Sequence, residues 1–355
     1  MADYDAFLLV SFGGPEGPDD VMPFLQNVTR GRGIPPERLE AVAEHYYAVG
    51  GISPINQQCR DLIAAIEKDF AATGVDLPIY WGNRNWDPYL TETVAEMAAA
   101  GVRRALAFVT SAYGSYSSCR QYLDDIQRAR AEVGPGAPQI DKIRHFFSHP
   151  GFIEPFADAT LRAIETLPAG VRADVPLVFT AHSVPEVMAA ASGPPPGGRY
   201  PAQLAEAAAL IADRVNAAVP AGGGHPWRLA YQSRSGPPSQ PWLGPDVCDY
   251  LEELAREGAP GAVLVPVGFI TDHMEVVHDL DVEAAETAQR LGLPLARAAT
   301  PGLDPRFVSM ITALVGERMG SGIPAAALGS PGCGTAECCR LPARAGRPGR
   351  PSAAS

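Results

Sequence analysis

Positive charge is scarce in this chain. Its 355 residues carry 28 Lys and Arg against 40 Asp and Glu, a formal net charge of −12. Binding a phosphate backbone takes clustered Lys and Arg, so a general nucleic-acid binder is disfavoured, as is electrostatic docking on an acidic membrane. Long apolar runs are missing too. The opening MADYDAFLLVSFGG has no basic lead, and its apolar stretch is far too short for a secretory signal or a membrane span. The chain is therefore read as cytoplasmic, with no stable membrane anchor. Neither HExxH nor paired CxxC spacing occurs, which disfavours a tightly held catalytic zinc. Hydrophobic residues at 46% and charged residues at 19% are ordinary for a globular protein, and the length suits one large or two medium domains.

What the sequence does have is alternation. Apolar runs at 5–12 (DAFLLVSF), 78–82 (PIYWG), 103–111 (RRALAFVTS), 176–181 (PLVFTA), 227–233 (WRLAYQS) and 261–270 (GAVLVPVGFI) predict buried strands. Amphipathic stretches between them, such as PYLTETVAEMAAAG and DVCDYLEELAREG, end at glycine as helices do. Strands alternating with helices predict an α/β fold with parallel sheets. One plan also recurs: strand, polar Trp-Pro loop, helix, glycine, strand, polar turn, first from LPIYWGNRNWDP and again from RLAYQSRSGPPSQPWLGP. LLVSFGGPEGPDDVMPFL likewise parallels LVFTAHSVPEVM. The expectation is two similar Rossmann-like halves, residues 1–168 and 169–328, meeting near 165–175; chance likeness of two βαβ units is the alternative. A tail at 329–355, rich in Ala, Gly, Pro and Arg, reads as flexible apart from its cysteines.

In open α/β sheets ligands sit outside the carboxyl ends of the strands. LVFTAHSVPEVM places His182 at such an end. A histidine after a strand can equally be an ordinary hydrogen-bonded residue, but TDHMEVVHDLD stands at the corresponding end of 261–270. That segment supplies Asp272, His273, Glu275, His278, Asp279 and Asp281 within ten residues. If it is α-helical from Met274 onward, Glu275, Asp279 and Glu283 share one face. A row of like charges destabilises a helix by a few tenths of a kcal/mol per pair, which a cation passing along it would offset; a solvated acidic face is the alternative. His182 and Glu275 offer a neutral imidazole and a carboxylate, able to bind a borderline divalent metal or to accept protons.

Five strings in order, SFGGPEG, GGISPIN, FTAHSVP, YQSRSGPPSQPWLGP and GFITDHMEVVHDLDVE, carry a resemblance to the ferrochelatases, which insert Fe²⁺ into a porphyrin. It runs from about residue 5 to 320 and is nearest the actinobacterial branch, associated with coproporphyrin III. It implies a chelatase-like fold of two similar α/β halves with the macrocycle in the cleft between them. By the resemblance, His182 is the active-site histidine, Glu275 the carboxylate facing it, both at the Fe²⁺ substrate, and Asp279 and Glu283 continue a row that carries metal or protons. Ser53, Tyr122, Arg30 and the pair His45 and Tyr46 lie where the family contacts the porphyrin. Arg32 is a second candidate partner for a propionate, and Trp242 a candidate wall. For Arg30 and Arg32 a solvated loop is the alternative, and for Trp242 ordinary core. The implied reaction is insertion of Fe²⁺ into coproporphyrin III, giving its iron complex, coproheme, and two protons, by a monomer. Insertion into protoporphyrin IX, or a tetrapyrrole-binding module without turnover, are the alternatives. The chain departs from several relatives at Phe12, where they carry a tyrosine able to reach iron, and at His45, where some carry arginine.

Six cysteines remain to be placed. Cys59 and Cys248 stand singly in helical stretches and read as small buried hydrophobes. Cys119 lies in YSSCRQY, and the tail packs Cys333, Cys338 and Cys339 into PGCGTAECCR. Disulfides are disfavoured in a reducing cytosol, and four thiolates are what an iron–sulfur cluster requires. Some ferrochelatases hold a 2Fe-2S cluster with one interior and three C-terminal cysteines, and Cys119, Cys333, Cys338 and Cys339 match that arrangement. Three thiols in a disordered tail is the alternative.

Overall fold

Ala6–Ser11, AFLLVS, is buried at every position, as a central strand covered by helices on both faces must be. This strand, β1, runs parallel to Ile79–Asn83 (β2) on one side and Arg104–Val109 (β3) on the other. Gln139–Lys142 (β4) completes a sheet of order β2-β1-β3-β4. The coordinates are a computed structural model, and they describe residues 4–31, 33–219, 224–235, 239–320 and 338–339. In the second sheet Leu177–His182 (β5) takes the central place, with Trp227–Gln232 (β6), Ala262–Val265 (β7) and Leu295–Arg297 (β8) around it in the order β6-β5-β7-β8, again all parallel.

The two orders coincide, strand for strand, when four is subtracted from the second set. The loops after β2 and β6 agree as well. Asn83 N donates to Pro88 O at 2.7 Å, and Tyr231 N donates to Pro245 O at 2.8 Å. The repeat read in the sequence is thus a repeat of topology, and the α/β expectation holds.

Two strands escaped the sequence reading. β4 and β8 are short edge strands of three or four residues with no fully buried position, so no apolar run announces them. The run at 261–270 is also shorter as a strand than predicted. It stops at Val265 because Pro266 has no N–H to give the ladder.

The largest body of buried side chains joins the halves. Phe108 of β3 stacks on Phe146, and Phe307 meets both edge-on. Tyr113, fully buried, donates its hydroxyl to Val267 O of the second half at 2.7 Å. The last helix of the second half, Pro305–Met319, crosses back over the first. It packs against the helices Ile55–Thr73 and Pro150–Thr166, and Asp69 accepts from Ser309 Oγ at 3.1 Å and from the Thr312 hydroxyl. Among the described residues no helix is long and apolar enough to cross a membrane.

Candidate active site

β5 delivers five buried residues and then a histidine that is partly exposed. The His182 ring is fixed from its own backbone: Nδ1 lies against Ser183 O, and a carbonyl can only accept. Nδ1 therefore carries a proton, and in the neutral ring Nε2 is left as an acceptor. That nitrogen faces Glu275 Oε2 at 3.6 Å. The strand end beneath it is pinned by Tyr200, whose hydroxyl donates to His182 O at 2.9 Å, and by Ser183 Oγ, which donates to Leu243 O at 2.8 Å. Two acceptors facing each other at this distance repel unless a proton or a cation lies between them. The pair is built for one or the other.

Glu275 sits in a single turn, Met274–Val276, capped by His273, whose Nδ1 accepts from Glu275 N at 3.2 Å. Burial holds the His273 pKa below its usual value, which keeps that nitrogen an acceptor. Beyond the turn the α-helical spacing expected from the sequence does not hold. Val277–Glu283 winds as a π-helix, and α-helix resumes only at Ala284–Leu291. A π turn bonds i to i+5 and takes an extra residue per turn, so the three acids do not form the simple i, i+4, i+8 row. Asp279 turns toward β6, where Gln232 Nε2 donates to its Oδ2 at 3.2 Å and the Ser233 hydroxyl donates to the same oxygen. Burial pushes its pKa up to about 6 despite those bonds. Glu283 lies 3.4 Å from His278 Nε2.

At the outer end of this acidic segment an open cavity of about 510 Å³ is lined by Asp246, Cys248, Glu283, Glu286, Thr287 and Arg290. Asp246 and Glu286 were not singled out from the sequence, because they stand far from the TDHMEVVHDLD cluster or past its end. Cys248, read as a buried hydrophobe, is only partly buried and faces this cavity; Cys59 is fully buried as expected.

The other candidates are placed as follows. His45, from the helix Pro36–Tyr47, stacks on His278 with ring centres 3.9 Å apart, and burial lowers its pKa. Tyr46 beside it is buried, and burial together with the charges of Glu275 and Asp279 raises its pKa, so it is a neutral hydroxyl. Ser53 is buried against the loop that follows β1. A Cβ on Gly14 would come 2.6 Å from Ser53 Cβ, so only glycine lets SFGG pass there. Phe12 packs edge-on against Phe24 and beneath the Arg84 guanidinium. Tyr122 is buried in the hydrophobic layer on β1 and β3, with the same guanidinium 4.6 Å from its ring centre. Arg30 is exposed. Trp242 is half-buried, bridged to Pro185 just after His182, and its Nε1 is buried without a partner among the described residues. Arg32 lies outside the described residues.

A sequence model of the family described as Ferrochelatase matches residues 4–319. The chain belongs to the ferrochelatase family. A coproporphyrin III ferrochelatase of Streptomyces coelicolor is 52% identical over 360 residues, covering 97% of this chain and 95% of that one. One from Frankia alni is 55% identical over 344 residues, with 95% and 87% covered. Among solved structures, SirB from Bacillus subtilis with Fe³⁺ matches in fold, with a TM-score of 0.51 at 12% identity, over 90% of this chain and 98% of that one.

Within this ferrochelatase the cysteines fall in two places. Cys338 and Cys339 are buried with sulfurs 3.6 Å apart, and Cys339 Sγ accepts from Gly193 N at 3.0 Å. Cys119 is buried with its thiol against His145. His145 and Gln203 both border Gly114, and Gln203 belongs to the helix Arg199–Ala217 that follows Gly193. Cys333 and the rest of the tail lie outside the described residues. Among the described residues, no group of three or more His, Cys, Asp or Glu side chains is placed to hold a metal ion.

Proposed function

We propose that this ferrochelatase inserts Fe²⁺ into coproporphyrin III, giving coproheme and two protons in haem biosynthesis, and that it acts as a monomer in the cytoplasm. The reading rests on His182 Nε2 and Glu275 Oε2 facing each other 3.6 Å apart at the carboxyl end of β5. Insertion requires two pyrrole N–H protons to leave while a hydrated cation sheds its water. His182, with Nδ1 committed to Ser183 O, accepts the two pyrrole protons in turn at Nε2, and the half-exposed Glu275 receives each and passes it toward solvent before the next. Asp279 and Glu283 continue the route along which Fe²⁺ arrives. His45, Tyr46, Ser53, Arg30 and Trp242 bound the macrocycle, and Tyr122 supports it from below. Residues 1–168 and 169–328 are the two halves that form the cleft.

The test is anaerobic incubation with Fe²⁺ and either coproporphyrin III or protoporphyrin IX, following the visible bands. Faster metallation of coproporphyrin III is expected. Preference for protoporphyrin IX makes the chain a protohaem-forming enzyme, and binding of both rings without metallation makes it a carrier. Run from pH 5 to 8, the same assay should lose rate as pH falls through about 6, because Asp279 takes up a proton there and no longer attracts a cation.

We also propose a 2Fe-2S cluster on Cys119, Cys333, Cys338 and Cys339. Two of the four donors support it: two thiolates on one tetrahedral metal, with bonds of about 2.3 Å, stand about 3.8 Å apart, close to the 3.6 Å between Cys338 and Cys339, while Cys119 is not grouped with them among the described residues. Such a cluster would supply one-electron chemistry, which insertion does not use. Anaerobically purified protein should contain acid-labile sulfide and lose it on Cys338→Ser; protein without sulfide would exclude the cluster.

A further inference from the structure

The end of β6 carries an amide that packing does not explain. Gln232 is 1% exposed and is the register partner of His182 between β5 and β6. Its backbone carbonyl accepts from Ser183 N at 2.8 Å, a bond that any residue would make. What glutamine adds is one hydrogen bond, Nε2 to Asp279 Oδ2 at 3.2 Å, while its Oε1 is buried with no partner among the described residues. Leaving a buried carbonyl unpaired costs about 1–3 kcal/mol, a cost that an apolar side chain of the same length avoids. Turning the amide over gives no relief, since it would set Oε1 against the Asp279 carboxylate.

The next residue repeats the pattern. Ser233 stands at φ 61, in the left-handed region that non-glycine residues seldom adopt, and from there its hydroxyl also reaches Asp279 Oδ2. Two consecutive residues each accept an unfavourable local state, and both converge on one carboxylate oxygen. The other oxygen, Oδ1, accepts no hydrogen bond from a described residue. Features that cost stability and serve one group are expected where function, not folding, selects them.

We propose that Gln232 is a positioning residue of the metal route: it holds Asp279 by Oδ2 against the end of β6, beside His182, and so presents Oδ1 to the arriving cation. The inference rests on the reading of Asp279 as part of that route. Gln232→Met removes the bond and the unpaired oxygen together. It should leave the thermal midpoint unchanged or raised, leave the KM for porphyrin unchanged, and raise the KM for the divalent metal roughly tenfold or more, the loss of one hydrogen bond to a charged group. Zn²⁺ in air and Fe²⁺ without oxygen serve as probes, each at saturating porphyrin. Asp279→Ala is run alongside. If it leaves the metal KM unchanged, the route itself is wrong. If Asp279→Ala raises the metal KM and Gln232→Met does not, Gln232 does not position it, whatever happens to stability. Should Gln232→Met not fold, Gln232→Asn keeps the amide on a side chain one carbon too short, and the same rise is expected of it.

Discussion

His182→Ala abolishes metal insertion, lowering kcat by at least about 10²-fold, the smallest contribution usual for a positioned proton acceptor, and leaves porphyrin affinity within a few-fold of the parent. The reason lies in where β5 ends. Its five preceding residues are buried, whereas the His182 side chain is 39% exposed and among the described residues its ring hydrogen-bonds to the neighbouring Ser183 carbonyl alone. Removing the ring therefore leaves the core intact and deletes only the acceptor opposite Glu275. Visible absorption under anaerobic conditions reads insertion, and quenching of porphyrin fluorescence reads binding. Equal loss of both would mean that His182 holds the ring and does not accept its protons.

Asp125→Ala is expected to be the most damaging single change to stability away from the reacting groups. Arg84 and Asp125 are paired with side chains only 6% and 7% exposed, and the guanidinium is sandwiched between the rings of Phe12 and Tyr122. Asp125 also takes Arg128 at 2.7 Å, but that arginine reaches well into solvent and can do without it. Arg84 cannot. Breaking a buried pair strands the remaining charge, at a cost of about 3–5 kcal/mol. Denaturant unfolding of Asp125→Ala should show a loss of this size, and Arg84→Met together with Asp125→Leu should recover most of it. A loss below about 1 kcal/mol for the single variant would show that the pair is solvated. Phe12 and the proposed porphyrin contact Tyr122 both pack on the Arg84 guanidinium, so porphyrin affinity should fall along with stability.

The fold was largely legible because its central strands are continuous apolar runs. AFLLVS and LVFTA can only be buried, and strands buried on both faces imply helices on both sides. β4 and β8 were not legible, since an edge strand such as QIDK needs no apolar pattern. At the site, His182 and Glu275 were recognisable from their strings, and the structure brings them within 3.6 Å. The π-helix was not recognisable. Val277–Glu283 has nothing in its composition that tells a π turn from an α turn, and a π turn changes which residues share a face. Gln232 and Ser233 lay inside a quoted motif without a role, because the group they serve is 47 and 46 residues away in sequence. Tyr122, placed among the porphyrin contacts by its motif, is buried against the Arg84 guanidinium.

The return of the helix Pro305–Met319 over the first half has a mechanical consequence. Asp69 grips it through Ser309 and Thr312, and Glu317 near its end accepts from Nε and Nη2 of Arg144 at 2.9 and 2.8 Å. A chain that leaves one lobe and is then riveted along the back of the other works as a clasp. Hinged enzymes swing whole lobes shut over a substrate; here the clasp opposes that swing.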